Sequence, residues 1–334
     1  PTNNPALIPE ATPTMLTGGN DDLAAVTEGD WTAALAVFTQ DMGPGQVAAP
    51  GRTTPAAHVA LIAHGTANNR TFLLDYDDIA DVTTLSASVL ADQAQGPNIN
   101  GGPDAGRGAP YGPWLLIPGL PTGNAVPAPP RVVPPCALVA ACMARNDTAT
   151  GNPNIAPAGI DGSNGGAGAS SYAIGVTQVW SDSDRALLDQ SVFNVIRSLD
   201  GQNGAPVVQI YGNDSMSADP SWAQINWQRT RMYIQDVGTA ILAADLQFAQ
   251  LDPQGHTFAK TAGDLQGMCT TLYALGALYG SSAKDAAVVD TGPAVNPLAQ
   301  IAAGYATAQI TCRMSPSAKH SQLILVKAAL GQPT

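Results

Sequence analysis

Between Gln46 and Gly119 short apolar runs alternate with helix-length segments, and this alternation limits the possible folds more than any other feature of the chain. QVAAP (46–50) and TFLLD (71–75) are strand-sized, and YGPWLLIPG (111–119) holds a third run. PAAHVALIAHGTAN (55–68), with Pro55 in its first turn, and TTLSASVLADQA (83–94) read as helices between them. Strand, helix, strand, helix, strand at this spacing implies parallel pairing, because each helix carries the chain back across a sheet face. The expected fold class is α/β, a mixed sheet flanked by helices, with a smaller α+β C-terminal domain and extended terminal arms.

Punctuation divides the rest. Residues 1–15 read as an N-terminal arm, and LTGGNDD (16–22) as a turn, with Asp30 placed to cap the helix WTAALAVF. The core domain is expected over 16–255. Two stretches dense in proline and glycine, 95–133 and 151–175, read as surface loops within it. Between them Pro134 and Pro135 open a helix running to about Arg145, and PVVQIYG (206–212) is a strand. From Trp222 to Phe248 a long helix carries a stripe of Trp227, Ile234, Val237, Ile241, Ala244 and Phe248, spaced to pack on a sheet.

The C-terminal domain is expected over 256–316. DLQGMCTTLYALGALYG (264–280) is a helix stopped by Gly280, and YATAQITCRM (305–314) alternates as a strand with one wet face. The arm 317–334 contains SQLILVKAAL, where Leu323, Ile324, Leu325 and Val326 point to both faces of a strand. Burying four large aliphatics is worth roughly 6–12 kcal/mol as an upper value. Such a segment lies either in its own sheet or on the sheet edge of a neighbouring copy.

Net charge is −12 with no basic run, which excludes the counterion-displacing surface of a nucleic-acid binder and attraction to an anionic membrane. No stretch reaches the roughly 18 apolar residues of a membrane span, and PTNNPALIPEATPTML has neither the basic start nor the apolar block of a signal peptide. Only 12% of residues are charged, which suits a protein largely covered by copies of itself.

The sequence offers few residues arranged for chemistry. Cys136, Cys142, Cys269 and Cys312 form no CxxC pair and read as free thiols. His58 and His64 are six apart on one helix and do not share a face, while His256 and His320 fall in loops. In TFLLDYDD, Asp75 and Asp77 form an Asp-x-Asp at the end of a strand, where haloacid-dehalogenase-like phosphatases hold a nucleophile and Mg²⁺. Lys260 and Gly263-Asp264 are imaginable as later motifs, but Asp78-Ile79 stands where Gly-Thr is usual and no second acid follows Asp264 at the right spacing. The bland alternative has these aspartates capping the next helix and solvating a loop. GGAG (165–168) follows no strand into a helix, and no G-x-S-x-G elbow occurs. No enzyme, metal or cofactor is expected.

In this order the motifs resemble those of contractile tail sheath proteins of phage tails, pyocins and contractile injection systems. LTGGNDD with WTAALAVF is similar to the turn and helix that open the family's main domain, and QVAAPGRTTPAAHVALIAHGTANNRTFLLD to its next strand, helix and strand. PPCALVAACMARNDTATGNPNIAPAG is similar to its alanine-rich helix followed by an Arg–Asp pair, here Arg145 and Asp147, and an Ala156-Pro157-Ala158 turn. VFNVIRSLDGQNGAPVVQIYGNDSMSADPSWAQINWQRTRMYI resembles the family's run ending in two arginines, Arg229 and Arg231, with Tyr211 where an aromatic-glycine pair is usual. The family carries about a domain's worth of chain ahead of the LTGG turn, where this sequence has only an arm.

The resemblance implies a structural subunit that polymerises helically around an inner tail tube protein and contracts to drive that tube through a cell envelope. It implies baseplate and tail terminator proteins as further partners, no membrane insertion, and a place in a virion tail assembled in the host cytoplasm. It also implies that the terminal arms exchange strands between copies, through Leu323, Ile324, Leu325 and Val326 at the C-terminal end. The C-terminal domain would face the tube, with Lys284 and Asp285 as possible contacts. A Mg²⁺-dependent phosphatase and a non-contractile virion or binding module are the alternatives.

Overall fold

The computed structural model describes residues 25–100, 106–119, 128–159, 169–170, 172–200 and 206–319. In chain order, α1 (Glu28–Val37), β1 (Gln46–Ala48), α2 (Pro55–Ala67), β2 (Thr71–Asp75), α3 (Val82–Asn100) and β3 (Gly108–Gly112) come first. Then follow β4 (Leu115–Ile117), β5 (Arg131–Val133), α4 (Cys136–Thr150), β6 (Ala169–Ser170) and β7 (Gly175–Val176). After them stand α5 (Asp182–Gln190), β8 (Asn194–Asp200), β9 (Pro206–Ile210) and α6 (Ile225–Leu246). The chain closes with α7 (His256–Ala274), α8 (Ala283–Ala286), β10 (Ala287–Asp290), α9 (Leu298–Ala302) and β11 (Gln309–Cys312).

The expected mixed sheet is present. Its six strands lie in the order β1–β2–β3–β8–β9–β6. The pairs from β1 through β8 are parallel, and β8–β9 and β9–β6 are antiparallel. Parallel neighbours need a crossover, which α2 and α3 supply, whereas β8 and β9 are close enough in sequence to pair as a hairpin. β2 shows why TFLLD is apolar throughout: Phe72 and Leu74 join a cluster with Leu61, Leu85 and Leu188 from α2, α3 and α5. Leu73 points to the other face, toward Cys136, Val139 and Met143 of α4 and Ile225 of α6.

Several sequence expectations need correction. Residues 95–133 are not one surface loop: α3 runs through them to Asn100, and β3, read as GAPYG, is a fully buried central strand. It is poor in aliphatics because Gly108 faces Phe72 across the ladder, and a β-carbon there would lie inside the Phe72 ring. The run WLLIPG contributes instead to a second, three-stranded sheet, β5–β4–β7, so part of 151–175 is also strand. α4 continues past Arg145 to Thr150 and ends at Gly151 in the left-handed region. Asp30 does not cap α1; Thr27 does, with Asp30 answering from the third helical position to complete a capping box. α5 and β8 lie where no element is expected from the sequence.

The long helix departs from its expected stripe. Its first half is buried on several faces, with Ile225, Asn226, Gln228, Arg229, Thr230 and Met232 all enclosed, while Phe248 lies beyond its end and is 98% exposed. Its second half contributes Ile234, Val237, Ile241 and Leu242 to a third cluster with Leu265, Met268, Cys269 and Leu272 of α7 and with β10 and β11. α6 is thus shared between the sheet and the C-terminal unit. α7 starts at His256, which is therefore not in a loop, and it stops at Gly276 (φ 78°), not Gly280. Gly280 is needed for a different reason: a β-carbon there would press on the Ala286 backbone.

Candidate assembly interface

The residues singled out for chemistry are engaged in holding the fold. Asp75 is buried, and its carboxylate accepts the Gly51 N–H at 3.0 Å, the Cys136 N–H at 2.9 Å and the Cys136 thiol at 2.8 Å. Burial raises its pKa, and the hydrogen bonds to Cys136 and Gly51 pull it part of the way back. Asp75 therefore joins the β1–α2 turn, the end of β2 and the N-terminus of α4. Asp77 accepts from Thr53 and Asp78 from Thr177. The next helix is capped by none of these but by Asp81, which accepts the Thr83 N–H at 3.0 Å. Among the described residues no three or more His, Cys, Asp or Glu side chains are grouped to hold a metal ion. Lys260 pairs with Asp245 and Asp264 on the surface of the C-terminal unit.

The histidines and thiols follow the same pattern. His58 bridges Asp92 (2.7 Å) and the Asp75 carbonyl (2.8 Å), joining α2 to α3. His64 accepts from Arg70 at 2.9 Å, and burial together with that guanidinium lowers its pKa, so it is neutral at pH 7. Arg70 in turn donates to the carbonyls of Phe38, Thr39 and Gly43, fastening the segment after α1. All four cysteines are free. Burial pushes the Cys269 thiol up to about 11 and raises Cys136 further, so both are held protonated and unreactive.

What the fold leaves open is a sheet edge. β10 and β11 form a two-stranded antiparallel sheet with Val288 opposite Thr311 and Val289 opposite Ile310. The Arg313 N–H donates to the Ala286 carbonyl at 2.9 Å, which fixes the alternation of the ladder. The N–H and C=O groups of Ile310 and Cys312 consequently point away from β10, and no third strand pairs there among the described residues. Beside this edge lies a cleft of about 350 Å³ between β11 and α6, lined by Ile234, Gly238, Leu242, Leu265, Ile310 and Met314 among others. An open edge over an apolar floor is the geometry that accepts an added strand.

From β11 the chain returns to the main body as an extended strap. The Ser315 carbonyl accepts from Asn154 (2.8 Å) and Trp227 (3.0 Å), and Ser317 exchanges two hydrogen bonds with the Gln224 amide at 3.0 and 3.2 Å. Lys319 reaches Asp189 at 2.6 Å and Asp214 at 2.7 Å. Burial opposes the Lys319 charge, yet the bonds to these two carboxylates outweigh it and its pKa is raised. Sequence reasoning missed this strap. Its only signal is the i, i+2, i+4 spacing of Ser315, Ser317 and Lys319, which gains meaning only beside Gln224 and Asp214.

Of the residues expected at interfaces, Leu323, Ile324, Leu325 and Val326 lie outside the described residues, as do residues 1–15 and the GGAG segment. Lys284 and Asp285 are both on α8 and exposed. Asp285 is occupied: it accepts from Ser281 and pairs with Arg313 at 2.7 Å, and these contacts hold its carboxyl down at about 2. Exposed apolar side chains stand on the same unit, including Tyr279, Leu298 and Tyr305, and a second group, Val37, Phe38 and Met42, lies at and just after the end of α1. No helix among the described residues is long and apolar enough to cross a membrane.

No sequence-family model and no curated protein sequence matches the chain. Its structure does find counterparts. A chain of the anti-feeding prophage (AFP) baseplate matches with TM-score 0.67 and 19% identity, over 90% of this chain and 74% of that one. A chain of the PVC sheath complex in the contracted state, from an extracellular contractile injection system, matches with TM-score 0.63 and 18% identity, over 85% and 70%. The AFP baseplate in its contracted state gives TM-score 0.59 and 20% identity over 89% and 66%. At these identities the likeness is one of fold, and the fold is the one the sequence motifs imply.

Proposed function

We propose that this chain is the structural subunit of a contractile sheath, polymerising helically around an inner tube. The observation that carries this reading is the open edge of β11 above the cleft on α6. A strand laid on that edge meets the outward N–H and C=O groups of Ile310 and Cys312 and turns every second side chain into the cleft. Leu323, Ile324, Leu325 and Val326 supply such a strand. The two aliphatics facing the cleft contribute about 3–6 kcal/mol per link. Donor and acceptor are different segments of one chain, so in this scheme each copy gives its strand to one neighbour and receives one from another, and the contact propagates as a helix. The N-terminal arm, residues 1–15, serves a second link in this scheme.

Subunits joined by paired strands can rotate as rigid bodies while the mesh stays connected, which is what contraction to drive a tube through an envelope requires. The C-terminal unit faces the tube, and of the two residues on α8 Lys284 offers its charge, because Asp285 is already paired. Baseplate and tail terminator proteins cap the ends, and the assembly forms in the host cytoplasm as a virion or injection-machine tail. No observation favours the phosphatase reading, since the Asp75 carboxylate is enclosed and accepts three hydrogen bonds.

Negative-stain electron microscopy across a concentration series tests the proposal. The full chain forms hollow tubes with a regular helical repeat, and a chain lacking 320–334 stays monomeric. Tubes from the truncated chain would overturn strand linkage. Small discrete oligomers of the full chain at every concentration would overturn the sheath reading and favour a non-contractile binding module.

A further inference from the structure

An arm that links two copies transmits force only if its root is fixed to its own subunit. The strap over residues 315–319 shows such a fixture. Alternate residues are held by side chains of the main body: Ser315, whose N–H still pairs with the Ala277 carbonyl, by Asn154 and Trp227, Ser317 by Gln224, Lys319 by Asp189 and Asp214. Gln224 is suited to this because a primary amide presents the same donor and acceptor pair as a peptide group, so it substitutes for a neighbouring strand. It is itself placed by a β-bridge to Asp214, directly ahead of α6.

Lys319 ends the series. Its two carboxylate partners come from separate elements: Asp189 from the last turn of α5 and Asp214 from the connection between β9 and α6. Both contact one ammonium, so they lie within about 5 Å of each other and repel when it is absent. Asp214 is 8% exposed, so its charge has little water to turn to.

Building on the strand-donation reading, we propose that Lys319 is a positioning residue, an ionic clasp that fixes the arm root against α5 and the start of α6. It acts through Ser317 and Gln224 and sets where the arm leaves the subunit.

Hydrogen exchange on the full chain and assembly measured on the same samples test this. In Lys319→Met the Ser317 amide, which donates to Gln224, exchanges about tenfold faster, while Leu73 and Ala109 in the sheet are unchanged. The concentration needed for tubes rises. In the wild type that threshold climbs with added salt, because the clasp is screened, and in Lys319→Met it no longer responds. Lys319→Arg restores protection and the salt response. Asp189→Asn, which removes the more exposed carboxylate, gives the same pattern in a milder form and serves if Lys319→Met does not fold. Unchanged Ser317 exchange in Lys319→Met would overturn the clasp. Faster exchange with an unaltered threshold would overturn the positioning role while leaving strand donation, tested by removal of 320–334, untouched.

Discussion

Asp75→Asn separates a structural carboxylate from a reactive one. The amide keeps the shape of the side chain but replaces one acceptor oxygen with an NH₂. Oδ1 accepts from the Cys136 N–H, and Oδ2 from the Gly51 N–H and the Cys136 thiol, so either rotamer sets the NH₂ against a backbone donor. One buried N–H then has no acceptor, at about 1–3 kcal/mol, and the remaining bonds lose their charge assistance. Removing a buried charge returns part of that loss, since burial already raises the Asp75 pKa. The expected net loss is about 2 kcal/mol in urea unfolding at pH 7. The pH dependence supplies a second test. A raised carboxyl pKa means that the folded chain holds its proton at a pH where the unfolded chain has lost it. This contribution is fully present below the ordinary carboxylate range and disappears as pH rises through the folded value. Asp75→Asn abolishes that slope. Stability within about 0.5 kcal/mol of wild type, with the slope intact, would refute the structural role.

Three further substitutions probe packing and assembly. Gly108→Ala drives a β-carbon into the Phe72 ring, so it should cost at least 2–3 kcal/mol in thermal or urea unfolding, and a neutral result would refute the close approach of β2 and β3. Asp147→Ala strands the Arg229 guanidinium, which is 1% exposed, and should destabilise by about 3 kcal/mol, more than Arg229→Met, which removes the charge along with its need for a partner; the reverse order in chemical denaturation would contradict this. Gly238→Leu fills the cleft beside β11 from the α6 side, leaving a folded chain by circular dichroism that forms no tubes, whereas tubes at the wild-type threshold would show that the cleft does not receive the strand.

The parallel half of the sheet was legible because its strands and crossover helices differ in apolar periodicity, and TFLLD states by its composition that both faces are covered. β3 was not legible: GAPYG looks like a loop, and its place in the core depends on the Phe72 ring filling the space above Gly108. The stripe on α6 misled for a related reason. Its first half is enclosed through polar side chains, where Asn226 donates to Asn154 at 2.9 Å and Arg229 pairs with Asp147, and no hydrophobic period reports such burial. The alternation of 305–314 correctly marked Ile310, Cys312 and Met314 as the packed face, yet it could not show that the outer edge of β11 lacks a neighbour. An edge is a property of tertiary pairing.

α6 takes both ends of the proposed link. The donor strap is fastened to its first turn and cap through Trp227 and Gln224, and the acceptor cleft lies against Ile234, Gly238 and Leu242 in its middle. A pull on the donated arm and a pull from an accepted strand therefore load the same helix. With 22 residues it is about 33 Å long and stiff on that scale. Beside the apolar contact of Ile225 with the core, the helix is held to α4 and the segment after it by groups that resist sliding, the Arg229–Asp147 pair and the Asn226–Asn154 bonds. Hydrophobic contact alone permits a helix to shift along its neighbour at little cost, whereas a directional polar contact must break before the helix moves. Polar burial in the first half of α6 thus fits the sheath subunit proposed above, which would turn as one body while its strands stay paired.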